Sequence, residues 1–173
     1  LSEAMRYHDI PFTNETVNDM VARKTKVLQA HLTESIPPIA GAVQLVRSLS
    51  QAGVPLAVAS GGLRKEIEIG IETIGLREHF PVIVAAEDVR DTKPHPESYQ
   101  QAVRLLGEHL GREIAPALCV AVEDSPTGIA SAKSAGMRVL AIHTSYPPDE
   151  LHSADHIEPD LTGVTVEMLE SLL

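Results

Sequence analysis

The chain changes its hydrophobic period near residue 36. Before that point, Val17, Met20, Val21, Lys24, Val27, Leu28 and His31 recur at three- and four-residue spacing, predicting an amphipathic helix from a Thr13 cap to about His31. Ser35-Ile-Pro-Pro38 breaks it and marks the expected boundary between a segment 1–35 and a domain 36–173. Beyond it, short apolar runs alternate with longer helical patterns. Strands are predicted at Val54–Ala59, Pro81–Ala86, Ala117–Val122 and Arg138–His143. Helices are predicted at Ile39–Gln51, Leu63–Ile74, Pro96–Leu110, Pro126–Ala135 and Val164–Leu172. Gly53, Gly75 and Gly136 close three of them. Continuously apolar strands alternating with helices imply a parallel sheet covered on both faces, a doubly wound α/β fold.

In such a fold chemistry gathers at the carboxyl ends of the strands. Ser60-Gly61-Gly62 follows the first run, Asp91-Thr-Lys93-Pro-His95 follows the second, and Glu123-Asp124 follows the third. Ser60 offers a hydroxyl and Gly61 an unobstructed backbone N–H, both suited to an anion at a helix start. Lys93 offers a positive charge for a phosphate. Glu123 and Asp124 repel each other unless a cation joins them, and Mg²⁺ takes a few carboxylates plus water and phosphate oxygens. Taken singly, each is a common turn, loop lysine or acidic helix start. In order on three successive strand ends they suit phosphoryl transfer, where catalysis is positioning and charge neutralisation.

Composition narrows the partners. Lys plus Arg number 14 against 24 Asp plus Glu, a formal charge of −10, which disfavours nucleic acid but not a small phosphorylated ligand. The longest uncharged stretch, Ser48–Leu63, holds Ser, Gln, Gly and Pro and does not read as a membrane span. The single cysteine, Cys119, excludes an internal disulfide framework and fits a reducing, cytoplasmic setting. Cys119 is expected inside a strand as an inert core residue, and Tyr99 as an anchor of its helix. Arg23, Lys24 and Lys26 read as a solvated helix face, with a surface facing an anionic substrate as the alternative, and His152 and His156 as a surface connection rather than a metal pair. His95 is a loop neighbour of Lys93. The oligomeric state is not legible.

The segments VAVASGG-like 56–62 (LAVASGG), DTKPHPESY (91–99) and VEDSPTGIASAKSAGM (122–137) resemble motifs two to four of the haloacid dehalogenase superfamily, in its phosphoglycolate phosphatase and β-phosphoglucomutase-like branch. The resemblance runs over roughly residues 36–160. It implies a Rossmann-like core, a helical cap to which residues 1–35 would contribute, and an aspartyl-phosphate mechanism with Mg²⁺. Ser60 and Gly61 would hold the phosphoryl group, and Lys93 would balance its charge. Asp124 would bind Mg²⁺ directly, and Glu123 directly or through water. The family's first motif, a strand ending in Asp-x-Asp, has no counterpart: only Asp9 and Asp19 precede the first predicted strand, and DLTGVT (160–165) lacks the second Asp. The first core strand is therefore missing. The chain opens on Leu1 rather than Met, and an incompletely represented chain is expected over a pseudoenzyme. The activity implied for the complete protein is hydrolysis of small phosphorylated metabolites. A sugar phosphomutase and a catalytically inactive binding domain are the alternatives; a dehalogenase is disfavoured by the Glu-Asp pair.

Overall fold

The computed structural model describes Thr13, Glu15, Thr16, Asp19, Met20, Ala22, Arg23 and residues 37–173. The chain divides into two units, Leu1–Ile36 and Pro37–Leu173. In the first, Thr13 Oγ1 accepts the Thr16 N–H (3.1 Å), as a cap should, and the other described residues are helical. Arg23 pairs with Asp19 at 3.9 Å, both well exposed. Lys24, Lys26 and the rest of the expected helix lie outside the described residues.

The second unit is an α/β layer structure. In chain order it runs α1 (Ala42–Gln51), β1 (Ala57–Ala59), α2 (Arg64–Thr73), β2 (Val82–Val84), α3 (Glu97–Leu110), β3 (Val120–Glu123), α4 (Pro126–Ser134), β4 (Arg138–Ile142), β5 (His156–Glu158) and α5 (Val166–Glu170). All ladders are parallel, and helices cover both faces. On one face, α1 and α5 place Leu45, Leu49 and Leu169 with Leu140 and Ile142 of β4; Leu56 and Val120 join from the flanks. On the other, α3 serves two clusters. Its Ala102 and Leu106 pack with Val82 and Val84, while Tyr99 and Val103 pack with Ala121, Ile129 and Val139.

The sheet is interrupted. β1 pairs with β2, and β3, β4 and β5 pair in that order, but no ladder joins β1 to β3. The backbone shows which edges are left. In a parallel ladder, alternate residues turn their N–H and C=O to the same side. Ser60 N donates to Val84 O (2.9 Å), so Val58 and Ser60 face β2, and Ala57 and Ala59 face away. Arg138 N donates to Cys119 O (3.0 Å), so Ala121 and Glu123 face β4, and Val120 and Val122 face away. These two edges have no strand partner among the described residues, and β1 is only half-buried along its length. The core sheet is thus partial among the described residues, with two strand edges unpaired.

Several elements differ from expectation. The helix read from Ile39 starts at Ala42, because Gly41 adopts φ +80° and a Cβ there would lie 2.2 Å from the Leu161 carbonyl carbon. The run Ala117–Val122 splits: Pro116 opens a 3₁₀ turn over Pro116–Leu118, leaving Leu118 65% exposed, and the strand runs from Val120 through Glu123. Cys119 precedes that strand, half-buried. The region around His152 and His156 contains a strand, β5, missed because it alternates polar, apolar, polar rather than running continuously apolar.

Candidate active site

The loop carrying Lys93 is pinned from two helices. The Glu97 carboxylate at the start of α3 accepts the N–H groups of Arg90 (3.1 Å) and Asp91 (3.0 Å), which hold its pKa below the ordinary value. Ser131 of α4 donates from Oγ to His95 O at 2.7 Å. Between these ties Lys93 turns inward. Its Nζ donates to Ala59 O (3.2 Å), to Glu123 Oε1 (2.5 Å) and to Tyr99 Oη (3.3 Å), and lies 4.6 Å from the centre of the Tyr99 ring. One ammonium thus bridges the ends of β1 and β3 across the interruption in the sheet.

Glu123 is buried and fully engaged. Oε1 accepts from Lys93 and from the Tyr99 hydroxyl (2.5 Å); Oε2 accepts from Asp124 N (3.2 Å) and Ser125 Oγ (3.4 Å). The carboxylate lies against Gly128 in the first turn of α4, where a Cβ would overlap it at 1.9 Å. Ser125 caps that helix by accepting Gly128 N–H at 3.1 Å, and Pro126 follows in the first turn. The positive end of α4 therefore favours negative charge at Glu123. Burial, then the Glu123 charge, pushes the Tyr99 hydroxyl well above its ordinary value, so it remains a donor throughout the physiological range.

The Ser60 loop is tied to the segment after β2. Ala86 N donates to Gly62 O (3.0 Å), Arg64 N donates to Glu87 Oε1 (3.1 Å), and Arg64 pairs with Asp88 at 2.5 Å. Ser60 Oγ accepts the Gly62 N–H (3.1 Å), and the Gly61 N–H makes no hydrogen bond among the described residues. Asp124, half-buried, accepts the Ser145 hydroxyl on Oδ2 at 2.5 Å; Oδ1 has no partner among the described residues. Lys93 thus touches the residue before Ser60 at the end of β1 and Glu123, the residue before Asp124, at the end of β3.

Tyr99 and Ser145 extend the site beyond the sequence reading. Tyr99 was legible only as a helix anchor, although it closes the DTKPHPESY segment. Ser145 follows β4, and His143-Thr144-Ser145 carries no paired chemistry that would mark it in the sequence. His156 contacts its own strand's Glu158 (2.7 Å), and His152 the carbonyl of Asp149 (2.8 Å). Cys119, packed beside the core, has its thiol pKa raised by burial. Asp91, His95 and Glu97 bring potential ligand atoms within 4.8 Å of one another at the surface, but the Glu97 oxygens already serve the loop backbone. Among the described residues, no helix is long and apolar enough to cross a membrane.

The family model for haloacid dehalogenase-like hydrolases matches residues 2–142. A validoxylamine A 7'-phosphate phosphatase of Streptomyces hygroscopicus subsp. limoneus is 31% identical over 94% of the chain and 73% of its own length. Hexitol phosphatase A of Escherichia coli is 33% identical over 86% of the chain and 66% of its own length. The chain thus spans about two thirds of the length of these relatives. The solved structure of CbbY from Rhodobacter sphaeroides with xylulose-(1,5)bisphosphate superposes with a TM-score of 0.82 at 28% identity, covering 92% of this chain and 71% of that one. A β-phosphoglucomutase from Clostridium difficile shares the fold at a TM-score of 0.83 and 18% identity. With three strand-end motifs in place on an interrupted parallel sheet, the chain belongs to the haloacid dehalogenase-like hydrolases.

Proposed function

We propose that the complete protein is a Mg²⁺-dependent phosphatase of small phosphorylated metabolites, and that its nucleophilic aspartate lies on a strand outside these 173 residues. The observation that carries this reading is Lys93, held by Ala59 O and Glu123 at the carboxyl ends of β1 and β3, beside two free strand edges. A strand filling that interruption would end beside the ammonium. In the proposed reaction its carboxylate attacks phosphorus, the ester oxygen leaves as the alcohol, and water then cleaves the aspartyl phosphate to orthophosphate. Ser60 Oγ and the unengaged Gly61 N–H bind phosphoryl oxygens. Lys93 neutralises the charge that builds there.

The donor set suits a hard cation in one respect: Asp124 presents a carboxylate oxygen with no partner among the described residues. Mg²⁺, when bound, would add further neutralisation. Both Glu123 oxygens are engaged by the protein, so in this reading Glu123 reaches the cation through water while restraining Lys93. The relatives named for hexitol and validoxylamine phosphates favour a phosphorylated sugar or polyol as substrate. The similarity of fold to a β-phosphoglucomutase keeps a sugar phosphomutase as a second reading, in which a sugar hydroxyl replaces water as the final acceptor.

The test is phosphate release by the complete protein from a panel of sugar and polyol phosphates, with Mg²⁺ and with chelator. Asp124→Ala should lose Mg²⁺-dependent turnover. Undiminished turnover in that variant would overturn the metal assignment. Isomerised sugar phosphate without orthophosphate would select the mutase reading.

A further inference from the structure

We infer that Ser145 is a positioning residue for Asp124, holding its carboxylate so that one oxygen is committed to the protein and the other faces a divalent cation. The inference rests on the reading of Asp124 as a cation ligand. Asp124 leaves β3 immediately after Glu123, and its backbone is fixed by donation of its N–H to Glu123 Oε2 (3.2 Å). Among the described residues, the only hydrogen bond to that carboxylate comes from Ser145 Oγ, 2.5 Å from Oδ2, in the range of a charge-assisted O–H···O⁻ bond.

The sheet register explains why a residue so distant in sequence is in reach. Glu123 is level with Ala141 in the β3–β4 ladder, so the chains leaving the two strands emerge side by side. β4 ends at Ile142, and Ser145 lies three residues beyond it. β4 is almost wholly buried, so the origin of this loop is anchored even though Ser145 is exposed. Without the serine proton, Asp124 could rotate about its side-chain torsions and present either oxygen or neither. A ligand's hydrogen-bond partner that fixes orientation commonly governs metal affinity about as strongly as tenfold or more.

The measurement is Mn²⁺ binding to the full chain, read from the electron paramagnetic resonance signal of free Mn²⁺, in parallel with thermal unfolding. The wild type should bind saturably and Asp124→Ala should abolish that binding. Ser145→Ala should weaken it about tenfold with an unchanged melting temperature, since the hydroxyl is exposed and covers no core. Ser145→Thr, which keeps the hydroxyl, should restore most of the affinity. Binding by Ser145→Ala equal to the wild type overturns the inference while leaving Asp124 as the ligand. A threonine variant no better than alanine overturns it too. Binding unaffected by Asp124→Ala overturns the metal reading itself, and the role of Ser145 falls with it.

Discussion

The β3–β4–β5 half of the sheet is built around a central strand that is almost wholly buried, whereas the β1–β2 half is two strands thick and has no central strand. Val139, Leu140 and Ala141 of β4 are completely buried, with a paired strand on each side and helices on both faces. In the other half only β2 is buried throughout; β1 is an Ala-Val-Ala strand with one edge unpaired among the described residues. β3 repeats the pattern on its own free edge, with Val122 41% exposed. The difference teaches where this fold tolerates incompleteness. Burial is densest away from the interruption, and the strands that flank it carry the polar groups of the site at their ends. Free edges of this kind invite pairing with another strand. What joins the halves on the site side is largely Lys93.

Removing that join should have the largest effect. Lys93→Ala leaves Glu123 buried without its counter-charge, with Tyr99 as its remaining side-chain donor of consequence. A buried ion pair broken by loss of one partner typically costs about 3–5 kcal/mol, and urea unfolding would read it. A cost below about 1 kcal/mol would mean that the pair behaves as a solvated one, and that the halves are held by apolar packing, of α3 on one face and of α1 with Leu56 on the other. Lys93→Ala combined with Glu123→Gln should recover part of the loss, because no buried charge is then left unpaired.

The second effect compares the halves directly. Leu140→Ala in the centre of β4 should cost about 2–5 kcal/mol, as a large-to-small change at a fully buried site. Val58→Ala in β1 should cost about 1 kcal/mol or less, because its surroundings are half-open and give up little burial. Equal costs would contradict the picture of a firm half and a thin half. A strand supplied to the free edges should raise the cost of Val58→Ala toward that of a core position.

Most of this was legible in the sequence because the signals are local. Continuous apolar runs locate four of the five strands, with Ser60, Glu123 and Asp124 as polar residues at their ends and Lys93 in the loop that follows β2. What escaped had its cause in tertiary structure. β5 has a single apolar residue, Ile157, and is a strand because β4 offers it an edge. The shift of the third strand onto Glu123 follows from the turn at Pro116. Ser145 became visible only when the β3–β4 register set it beside Asp124. Likewise, no spacing rule could show that Glu123 has both oxygens engaged; that follows from packing against Gly128, Lys93 and Tyr99.

The smallest predicted effect tests what makes the firm half firm. Asp155, just before β5, accepts the Val139 N–H (2.6 Å) and pairs with Lys133 of α4 (2.6 Å) and Arg138 of β4 (3.4 Å). Desolvation would raise its pKa, but the Lys133 hydrogen bond, the Val139 N–H and the two cationic charges together hold it below the ordinary aspartate value. The unfolded chain therefore binds this proton more readily than the folded one. Its contribution is present above the unfolded value, near about 3.9, and is lost as pH falls through the lower folded value. Wild type should be more stable than Asp155→Asn at neutral pH, since asparagine keeps an acceptor for Val139 but no charge for Lys133. The gap in unfolding midpoint should narrow as pH falls below about 4 and close once Asp155 is protonated in both states. A gap that persists unchanged in acid would assign the tie to hydrogen bonding alone. The firm half would then owe its stability to burial and ladder pairing, with no electrostatic share from this carboxylate.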